Sequence, residues 1–394
     1  MKFVTRPLKS ADDLNDIAGE TGYLFVRDGI GLAGQGVVIE SDADSIAEVL
    51  AKCEVDNHVG GPGTGPVAFG ALAFDDHRDA RFIVPRVVVG KREDGTAYAT
   101  TIEGEPTQIT SEDQPAKVAR EYIMRSGSVS PSRFKDSVLR TTDHIKQGGL
   151  SKAVIARDIV IEATAPMSVH EILLRLKSSY GSSYRYSFDG LIGASPELLV
   201  EVLDGVVRSR PLAGTAPRTG NDAEDERLAT ELLRSAKNQS EHRIVIDVVR
   251  DTLLPHCSYL DWEPEPSLLK VANVQHLGSE AEGVLTKPYA SVLQLARELC
   301  PTPALGGHPR DLALNWISEI EGLDRGRYGG AVGWLDAHGN GTWAVTIRCA
   351  EMSSDRRSAH LFAGCGIVAD SDPESELAET QTKFQAMINA ITLS

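Results

Sequence analysis

The stretch that decides the fold is Leu361–Phe384, which reads LFAGCGIVADSDPESELAETQTKF. Its first half has the composition of a β-strand, in which Gly364 and Gly366 allow another part of the backbone to approach closely. The Asp-Ser-Asp run at 370–372 then offers N-cap residues, and Pro373 stands where the first turn of a helix tolerates proline. The stretch therefore predicts a strand, a glycine turn and a helix in immediate succession.

The predicted helix has a buried face and a charged face. Apolar residues recur at helical spacing from Leu377 to Ile391. Beside them run Glu376, Glu379 and Lys383, spaced three and four apart, so that they share one side of the helix. On most helices this charge pattern is a solvated ladder of ion pairs. The rest of the chain decides between that interpretation and a functional cluster.

Composition and charge describe an ordinary globular protein. Of its 394 residues, 41% are hydrophobic and 24% are charged. The N-terminal sequence MKFVTRPLKSADD lacks the apolar core of a signal peptide, and no apolar run is long enough to span a membrane. The five cysteines lack the spacing of a metal site, so we expect reduced thiols in the cytoplasm. The net charge of −16 argues against nucleic acids and anionic membranes as partners, and an anionic substrate would need a locally positive pocket.

Residues 1–126 carry strand-like runs but no strong chemical motif. The sequence predicts strands at 23–27 and 34–40, further strands within 69–74 and 80–89, and a helix at 44–53. The polar segment 126–132 is the best candidate for a linker or a long surface loop, although it need not separate folding units.

Beyond that segment the pattern is sharper. The sequence predicts helices at 132–148, 169–179 and 222–253, the last as one long helix, and a strand at 150–162. Lys152 lies near the start of this strand, although a lysine in a strand usually points to solvent. Glu197 follows a proline and opens an apolar strand, which is an unusual place for a charge unless it is paired or used.

Ten short motifs occur in the order found in chorismate-utilising enzymes, and the chain resembles that family. The motifs are SKAVIAR, which contains Lys152, then GASPELL, RPLAGTAPR, KNQSEH, VQHLGS, PTPALGG, RYGGAVGW, VTIRCA, FAGCGIV and SELAETQTKF. Each is weak alone, but their shared order over residues 130–394 leaves little room for accident. Residues 1–126 match loosely, chiefly through GALAFDD at 70–76. The family includes isochorismate synthases, salicylate synthases and the chorismate-binding subunits of anthranilate and aminodeoxychorismate synthases.

The resemblance implies a fold of the α/β class, α+β in type. It would be a single large domain of extended antiparallel β-sheets packed face to face, with helices outside and the active site deep between the sheets. Residues 1–126 would form the N-terminal part of the same fold, and 127–394 the chorismate-binding catalytic region. The implied substrate is chorismate and the implied cofactor is Mg²⁺. We expect a monomer.

The resemblance also assigns roles, motif by motif. Lys152 resembles the base that activates water, and Glu197 the acid that protonates the departing hydroxyl. Glu241 and Glu379 match the magnesium ligands, with Glu376 in the outer shell or as a third ligand. The positions that match groups holding the substrate or lining its pocket are Gly214, Thr215, His276, Ala304, Leu305, Tyr328, Arg348, Gly364 and Lys383.

The chemistry explains these residue types. Chorismate is a dianion, and Mg²⁺ is a hard cation that takes oxygen ligands. The ion and the cationic side chains would overcome the field of a negatively charged protein within a Debye length of about 10 Å. Water attacks C2 while the hydroxyl leaves from C4, so a base and an acid are needed on separate sides of the ring. Lys152 must be neutral to act as the base, and Glu197 must remain protonated in an apolar site.

Several of these residues also have interpretations that need no catalysis. Arg348 could lie at the edge of the core, His276 could be a hydrogen-bonded core histidine, and Tyr328 could serve packing alone. The order of the motifs favours function for each of them. His242 is expected to brace its helix.

Two positions depart from the family pattern. Asn238 stands where relatives often carry Asp or Glu, which removes one negative charge from the surroundings of the metal. A neutral amide there can still orient a ligand or a water. Cys365 replaces a small residue, and the sequence suggests no mechanistic role for it.

The loop at 301–305 bears on which reaction occurs. Its Pro-Thr-Pro-Ala sequence resembles isochorismate synthases, whereas the amination branch usually has a glycine and a threonine there. Salicylate synthases typically carry threonine near position 304, so Ala304 argues against pyruvate elimination. The prediction is an isochorismate synthase, an isomerase serving a siderophore, menaquinone or other aryl-metabolite pathway. The alternatives are a salicylate synthase, an amination-type subunit, and a module that binds carboxylates without turnover, for which neither Lys152 nor Glu197 would be needed.

Overall fold

The computed structural model describes residues 1–75, 80–105, 119–271 and 274–393. Asp76, the last residue of the GALAFDD motif, lies outside them. The α-helices in this part of the chain are α1 Leu14–Ala18, α2 Ile46–Ala51, α3 Pro131–Lys146, α4 Val169–Tyr180, α5 Asp222–Arg234, α6 Ala236–Leu253, α7 Val292–Leu299, α8 Arg310–Ile320 and α9 Pro373–Thr392. A 3-10 turn, Leu254–His256, follows α6.

The strands fall into three sheets. In chain order they are β1 Lys2–Leu8, β2 Tyr23–Arg27, β3 Ile30–Gln35, β4 Ile39–Asp42, β5 Glu54–Asn57, β6 Val67–Leu72, β7 Arg81–Val84, β8 Val87–Lys91, β9 Ala97–Ile102, β10 Tyr122–Ser126, β11 Lys152–Ala163, β12 Tyr184–Phe188, β13 Leu191–Ser195, β14 Leu198–Leu203, β15 Val206–Arg210, β16 Leu212–Pro217, β17 Cys257–Trp262, β18 Ser267–Lys270, β19 Val274–Gly278, β20 Ala281–Leu285, β21 Gly307–His308, β22 Ala331–Asp336, β23 Gly341–Val345, β24 Cys349–Met352 and β25 Ser358–Ile367.

Two large sheets organise the molecule. The larger has the order β10-β11-β25-β24-β13-β12-β2-β3-β8-β9-β1-β5, with β21 paired to β11. The second has the order β17-β20-β15-β14-β23-β22-β6-β7-β4, and a small sheet has the order β16-β19-β18. The described pairs are antiparallel except for β1 with β5. Strands from before residue 127 lie inside both large sheets, since β2 pairs with β12 and β6 with β22.

The period of two along each strand sorts side chains between two cores. On β2, Phe25 packs into the core between the two large sheets, whereas Leu24 and Val26 pack into a second core on the other face. Helices α1, α4 and α9 cover that second core, where Phe384 and Ile391 are buried. The predicted arrangement of face-to-face sheets with helices outside is therefore confirmed.

The deciding stretch forms the predicted strand and helix, β25 and α9. Asp372 is the N-cap of α9, because its side chain accepts the N–H of Ser375 at 2.9 Å. The predicted glycine turn is wrong, since Gly364 and Gly366 lie inside β25 and the turn comes after them, at 368–371.

Two other predictions need correction. The single helix at 222–253 is two helices, because Ser235 has extended backbone between α5 and α6 and caps α6 by accepting the N–H of Asn238. The strand at 34–40 is the end of β3 and the start of β4, with Gly36 at φ 69° between them.

The segment at 126–132 is a short connection. It joins β10 to α3, whose N-cap is Ser130. No helix in the described ranges has the length and apolarity needed to cross a membrane.

Candidate active site

One cavity gathers nearly all the residues that the motifs single out. The predicted residues that line it are Glu197, Gly214, Thr215, Glu241, His276, Ala304, Leu305, Tyr328, Arg348, Gly364, Glu376, Glu379 and Lys383. Lys152 does not line the cavity itself but lies directly behind two residues that do, Glu241 and Gly366. These residues come from strands of the larger sheet and of the small sheet, from α6 and α9, and from loops between elements.

Lys152 begins β11, and its side chain is 0% exposed. Its Nζ lies 2.8 Å from Glu241 Oε1, at ion-pair distance but without hydrogen-bond geometry. A Cβ on Gly366 would come within 2.7 Å of Lys152 Cε and 2.5 Å of Glu241 Oε1. The glycine therefore lets the lysine and the carboxylate meet beside β25, which is why it belongs in the strand and not in a turn.

Glu197 lies where the chain passes from β13 in one large sheet to β14 in the other. It is 2% exposed, and its Oε1 accepts the N–H of Leu212 at 3.3 Å. Burial raises the pKa of Glu197 to about 7, although the Leu212 N–H and the positive charges of Lys152 and Arg348 favour the ionised form. A large share of the Glu197 carboxyls therefore keep their proton near neutral pH.

The charged face of α9 points into the cavity. Lys383 Nζ lies 2.6 Å from Glu379 Oε1 and donates to the carbonyl of Gly364 at 2.7 Å. Burial raises the pKa of Glu379, but the Lys383 ammonium, the Arg348 charge and the Cys365 thiol together outweigh it, and the net pKa is below the ordinary value. For Glu376, burial and the neighbouring Glu379 both raise the pKa. The solvated ladder that this spacing usually forms is absent from this face of α9.

The carboxylates on this wall fit a divalent cation. Glu376, Glu379 and Cys365 offer ligand atoms that lie within 4.8 Å of one another. Glu376 is buried and Glu379 is partly exposed. Two carboxylates at this separation repel each other, and a cation between them would relieve that repulsion. Glu241 lies on the same cavity but is engaged with Lys152. The Cys365 thiol donates to the carbonyl of Glu376 at 3.3 Å, and sulfur is a softer donor than Mg²⁺ prefers.

A hydrogen-bonded chain orients Arg348. Its Nη2 lies 3.3 Å from His276 Nε2, while Nδ1 of the same ring lies 3.0 Å from Thr215 Oγ1 and 3.4 Å from the Gly214 carbonyl. Burial, together with the charges of Arg348 and Lys383, lowers the pKa of His276 well below its ordinary value. A guanidinium has only donors, so the neutral ring accepts at Nε2 and donates from Nδ1.

Another part of the cavity lining is aromatic and apolar. The ring of Tyr328 stacks on Phe362 with the ring centroids 5.4 Å apart. A Cβ on Gly364 would lie 3.1 Å from the Tyr328 hydroxyl oxygen. Ala304 and Leu305 complete this wall from the loop between α7 and β21. The cavity lining thus combines an aromatic ring and apolar side chains with cationic groups.

Comparison with known proteins identifies the lineage of this cavity. A family model described as "Chorismate binding enzyme" matches residues 33–392. The chain belongs to the chorismate-binding enzyme family. It is 37% identical over 364 residues to the isochorismate synthase DhbC of Bacillus subtilis, covering 90% of this chain and 86% of the relative. It is 36% identical over 357 residues to the vibriobactin-specific isochorismate synthase of Vibrio cholerae, covering 89% and 84%.

The fold of the family is confirmed as well. The structure of MenF, the menaquinone-specific isochorismate synthase from Escherichia coli, superimposes with a TM-score of 0.81 and covers 98% of this chain and 94% of that one. At 24% identity this likeness concerns the fold alone. The family match begins at residue 33, well before residue 127.

The cavity also contains residues to which the motifs assigned no role. Lys237 lies 3.6 Å from Glu376 Oε1, and it precedes Glu241 by four residues, so helical spacing could have placed both on one face. The other lining residues without an assigned role are Leu212, Ala213, Asn238, Ile347 and Gly366. His242 is turned to Ser279, with Nε2 at 2.9 Å from Oγ, and it ties α6 to the end of β19.

Proposed function

We propose that this protein is an isochorismate synthase, an isomerase that converts chorismate to isochorismate with Mg²⁺ as cofactor. The observation that carries the proposal is that a buried glutamate, Glu197, lines the cavity and a buried lysine, Lys152, lies directly behind its lining residues Glu241 and Gly366. The relatives named isochorismate synthase support the same reaction.

The positions of the two groups suit hydration at one carbon and loss of hydroxyl at another. Lys152 is the first residue of β11 in the larger sheet, and Glu197 immediately precedes β14 in the second large sheet. Lys152 in its neutral form takes a proton from the water that attacks C2. Glu197 gives its proton to the hydroxyl that leaves C4, and burial has already made that proton available near pH 7.

The cations of the cavity hold the substrate. Arg348, fixed by His276, and Lys383, fixed by Glu379 and the Gly364 carbonyl, present positive charge to the two carboxylates of chorismate. Glu241, Glu376 and Glu379 would hold Mg²⁺, which would supply further positive charge to the ring carboxylate. Removal of water from the cavity strengthens each of these contacts.

We propose that the reaction stops at isochorismate. Pyruvate elimination needs the side chain folded over the ring, so that the hydrogen at C2 can transfer as the ether bond breaks. Ala304 offers no hydroxyl to hold that arrangement or an incoming ammonia, which disfavours the salicylate synthase and amination alternatives.

The test is incubation of the protein with chorismate and Mg²⁺, followed by chromatography of the products and a lactate-dehydrogenase-coupled assay for pyruvate. We expect a mixture of chorismate and isochorismate, because moving one hydroxyl is nearly thermoneutral, with no pyruvate and no dependence on ammonia. Stoichiometric pyruvate would identify a salicylate synthase instead, and no turnover with metal present would identify a binding module.

The surroundings of the enzyme are also proposals. We propose a monomer in the cytoplasm that supplies a siderophore, menaquinone or other aryl-metabolite pathway. Size-exclusion chromatography with light scattering at enzyme concentrations used for assay tests the monomer, and a dimer mass would contradict it.

A further inference from the structure

A buried ion pair that the proposed reaction does not use lies behind the cavity wall. Glu321 follows the last turn of α8, and Arg325 comes four residues later; they are 1% and 4% exposed. Arg325 Nε donates to Glu321 Oε1 at 2.7 Å, and Nη2 donates to Oε2 at 2.6 Å. Burying both charges has a desolvation cost, so the pair is weak evidence of stabilisation for its own sake.

The pair joins two parts of the cavity. Arg325 Nη1 donates to the carbonyl of Leu305 at 2.9 Å, and Nη2 also donates to the carbonyl of Val154 at 2.7 Å. Glu321 Oε2 accepts the N–H of Ala156 at 2.6 Å. Leu305 belongs to the apolar wall, and Val154 lies two residues from Lys152 on β11. The backbone of the same loop is also paired with β11, since the N–H of Val154 donates to the carbonyl of Gly306 at 2.8 Å and β21 pairs with Lys152 and Ala153. The guanidinium therefore adds side-chain contacts to a backbone pairing between the wall and the strand that carries the base.

Aromatic rings fix the plane of this guanidinium. Its carbon lies 4.2 Å from the ring centroid of Phe74 and 6.0 Å from that of Tyr328. The N–H of Tyr328 donates to the carbonyl of Arg325 at 2.9 Å. Tyr328 lines the cavity, so a third part of its wall is tied to the same residue. Arg325 itself is not among the lining residues.

We infer that Arg325, held by Glu321, is a positioning residue that fixes Leu305 relative to Lys152 and so helps the enzyme release isochorismate without expelling pyruvate. The inference rests on the proposed isochorismate synthase function. Arginine suits the task because its planar fork holds several acceptors in fixed directions, which the single ammonium of lysine cannot do. A displacement of about 1 Å between reacting groups can cost about 10²-fold in rate.

The experiment compares Arg325→Lys with Arg327→Lys. Lysine at 325 keeps a positive charge beside Glu321 but cannot bond both carbonyls. Arg327 is the matched control, since it also pairs with a carboxylate, Glu351, and donates to the carbonyls of Phe188 and Asp189, none of which lines the cavity.

For Arg325→Lys we expect kcat to fall about 10- to 100-fold, KM for chorismate to change by less than about threefold, and the fraction of turnover that yields pyruvate to rise. For Arg327→Lys we expect kcat and the product ratio of the unmutated enzyme. Circular dichroism and thermal unfolding accompany both assays, which are run well below the melting temperature. A purely structural residue would lower the melting temperature without changing kcat or the pyruvate fraction, and that result would overturn the inference.

A second variant, Glu321→Gln, tests the same inference if Arg325→Lys does not fold. Glu321→Gln keeps the shape and an acceptor for Ala156 but removes the charge that holds the guanidinium, so the same changes are expected at smaller size. If a folded Glu321→Gln has unchanged kcat and pyruvate fraction, the inference is wrong. The unmutated enzyme is assayed in parallel: absence of isochorismate there contradicts the proposed function, whereas isochorismate there with unchanged variants contradicts the positioning role alone.

Discussion

Lys152 and Glu197, the proposed base and the proposed acid, are both buried by the fold. Lys152 is enclosed by β25 and α6 and has the Glu241 carboxylate as its charged neighbour. Burial favours the neutral form of Glu197, although the N–H of Leu212 and the nearby cations favour the ionised form. On an exposed surface the Glu197 carboxyl would not have its raised pKa.

Replacement of Lys152 by alanine should remove hydration of chorismate. Loss of a general base is expected to lower the rate on the order of 10²- to 10⁴-fold, while chorismate still binds through Arg348 and Lys383. Steady-state kinetics and calorimetric titration with chorismate measure the two effects. Lys135→Ala, which removes a surface lysine paired with Glu374, is the control and should be fully active. Near-normal turnover in the Lys152 variant would remove the base assignment.

The pH dependence should report Glu197. Burial raises its pKa to about 7, and the acid acts only when protonated. The value of kcat/KM should therefore decline as pH rises through about 7, because the protonated fraction in the free enzyme falls. A profile from about pH 6 to about pH 9 with saturating Mg²⁺ tests this. A rate that climbs throughout this range would contradict the role of Glu197.

Sequence alone could name most residues of the cavity but not the buried Glu321–Arg325 pair behind it. Lys152, Glu197, Arg348 and the carboxylates stand in motifs whose order carries the information. Arg325 precedes one of these motifs, yet nothing in its neighbourhood indicates that it is buried or that its partners are backbone carbonyls. Contacts to backbone leave no side-chain pattern to recognise.

At the level of elements, β25 and the helix that follows it, α9, together form one side of the cavity lining. The strand supplies glycines where Lys152 and Tyr328 approach, and the helix supplies Glu376, Glu379 and Lys383. Both elements could be predicted from apolar spacing and capping residues. The turn could not, because a glycine that admits a neighbouring side chain has the same sequence signature as a glycine that reverses the chain. The sequence does not indicate the break between α5 and α6 at Ser235, because the residues on both sides of it continue one helical periodicity.

The proposed magnesium ligands lie on both α6 and α9. Glu241→Gln or Glu379→Gln should weaken Mg²⁺ and chorismate binding jointly, since the ion would touch both protein and substrate. Calorimetry with and without Mg²⁺, alongside activity, measures this. Glu374→Gln on α9, which is exposed and paired with Lys135, should behave as the unmutated enzyme. Full activity in EDTA with metal-independent chorismate binding would contradict the magnesium site.

The loop between α7 and β21 should control the product. Ala304→Thr adds a hydroxyl and a methyl group to the wall beside Leu305, and we expect it to change the ratio of pyruvate to isochorismate more than the affinity for chorismate. The lactate-dehydrogenase-coupled assay and calorimetry give the two quantities. A large loss of affinity with an unchanged ratio would mean that this wall only excludes water.

For the whole molecule, the negative charge and the substrate are in opposition. The net charge of −16 repels a dianion. The positive charges of Lys237, Arg348 and Lys383 on the cavity surface, and of Lys152 behind it, offset that repulsion locally. Face-to-face sheets could be expected only through the family resemblance. Strand order could not be read from periodicity, because the pattern of each strand does not specify which distant strand pairs with it.

The pairing of β6 with β22 has a consequence for how the protein is made. In this pair Val67 lies opposite Asp336, which the ribosome adds to the chain 269 residues after Val67. At typical rates of synthesis the wait is roughly 10 to 50 s. During it, the apolar strand Val67–Leu72 has no partner on that edge and is open to other chains. Chaperones protect such unpaired strands until the C-terminal third of the chain emerges. The yield of expressed protein should therefore depend on chaperones, whereas the stability of the finished enzyme should depend on them less.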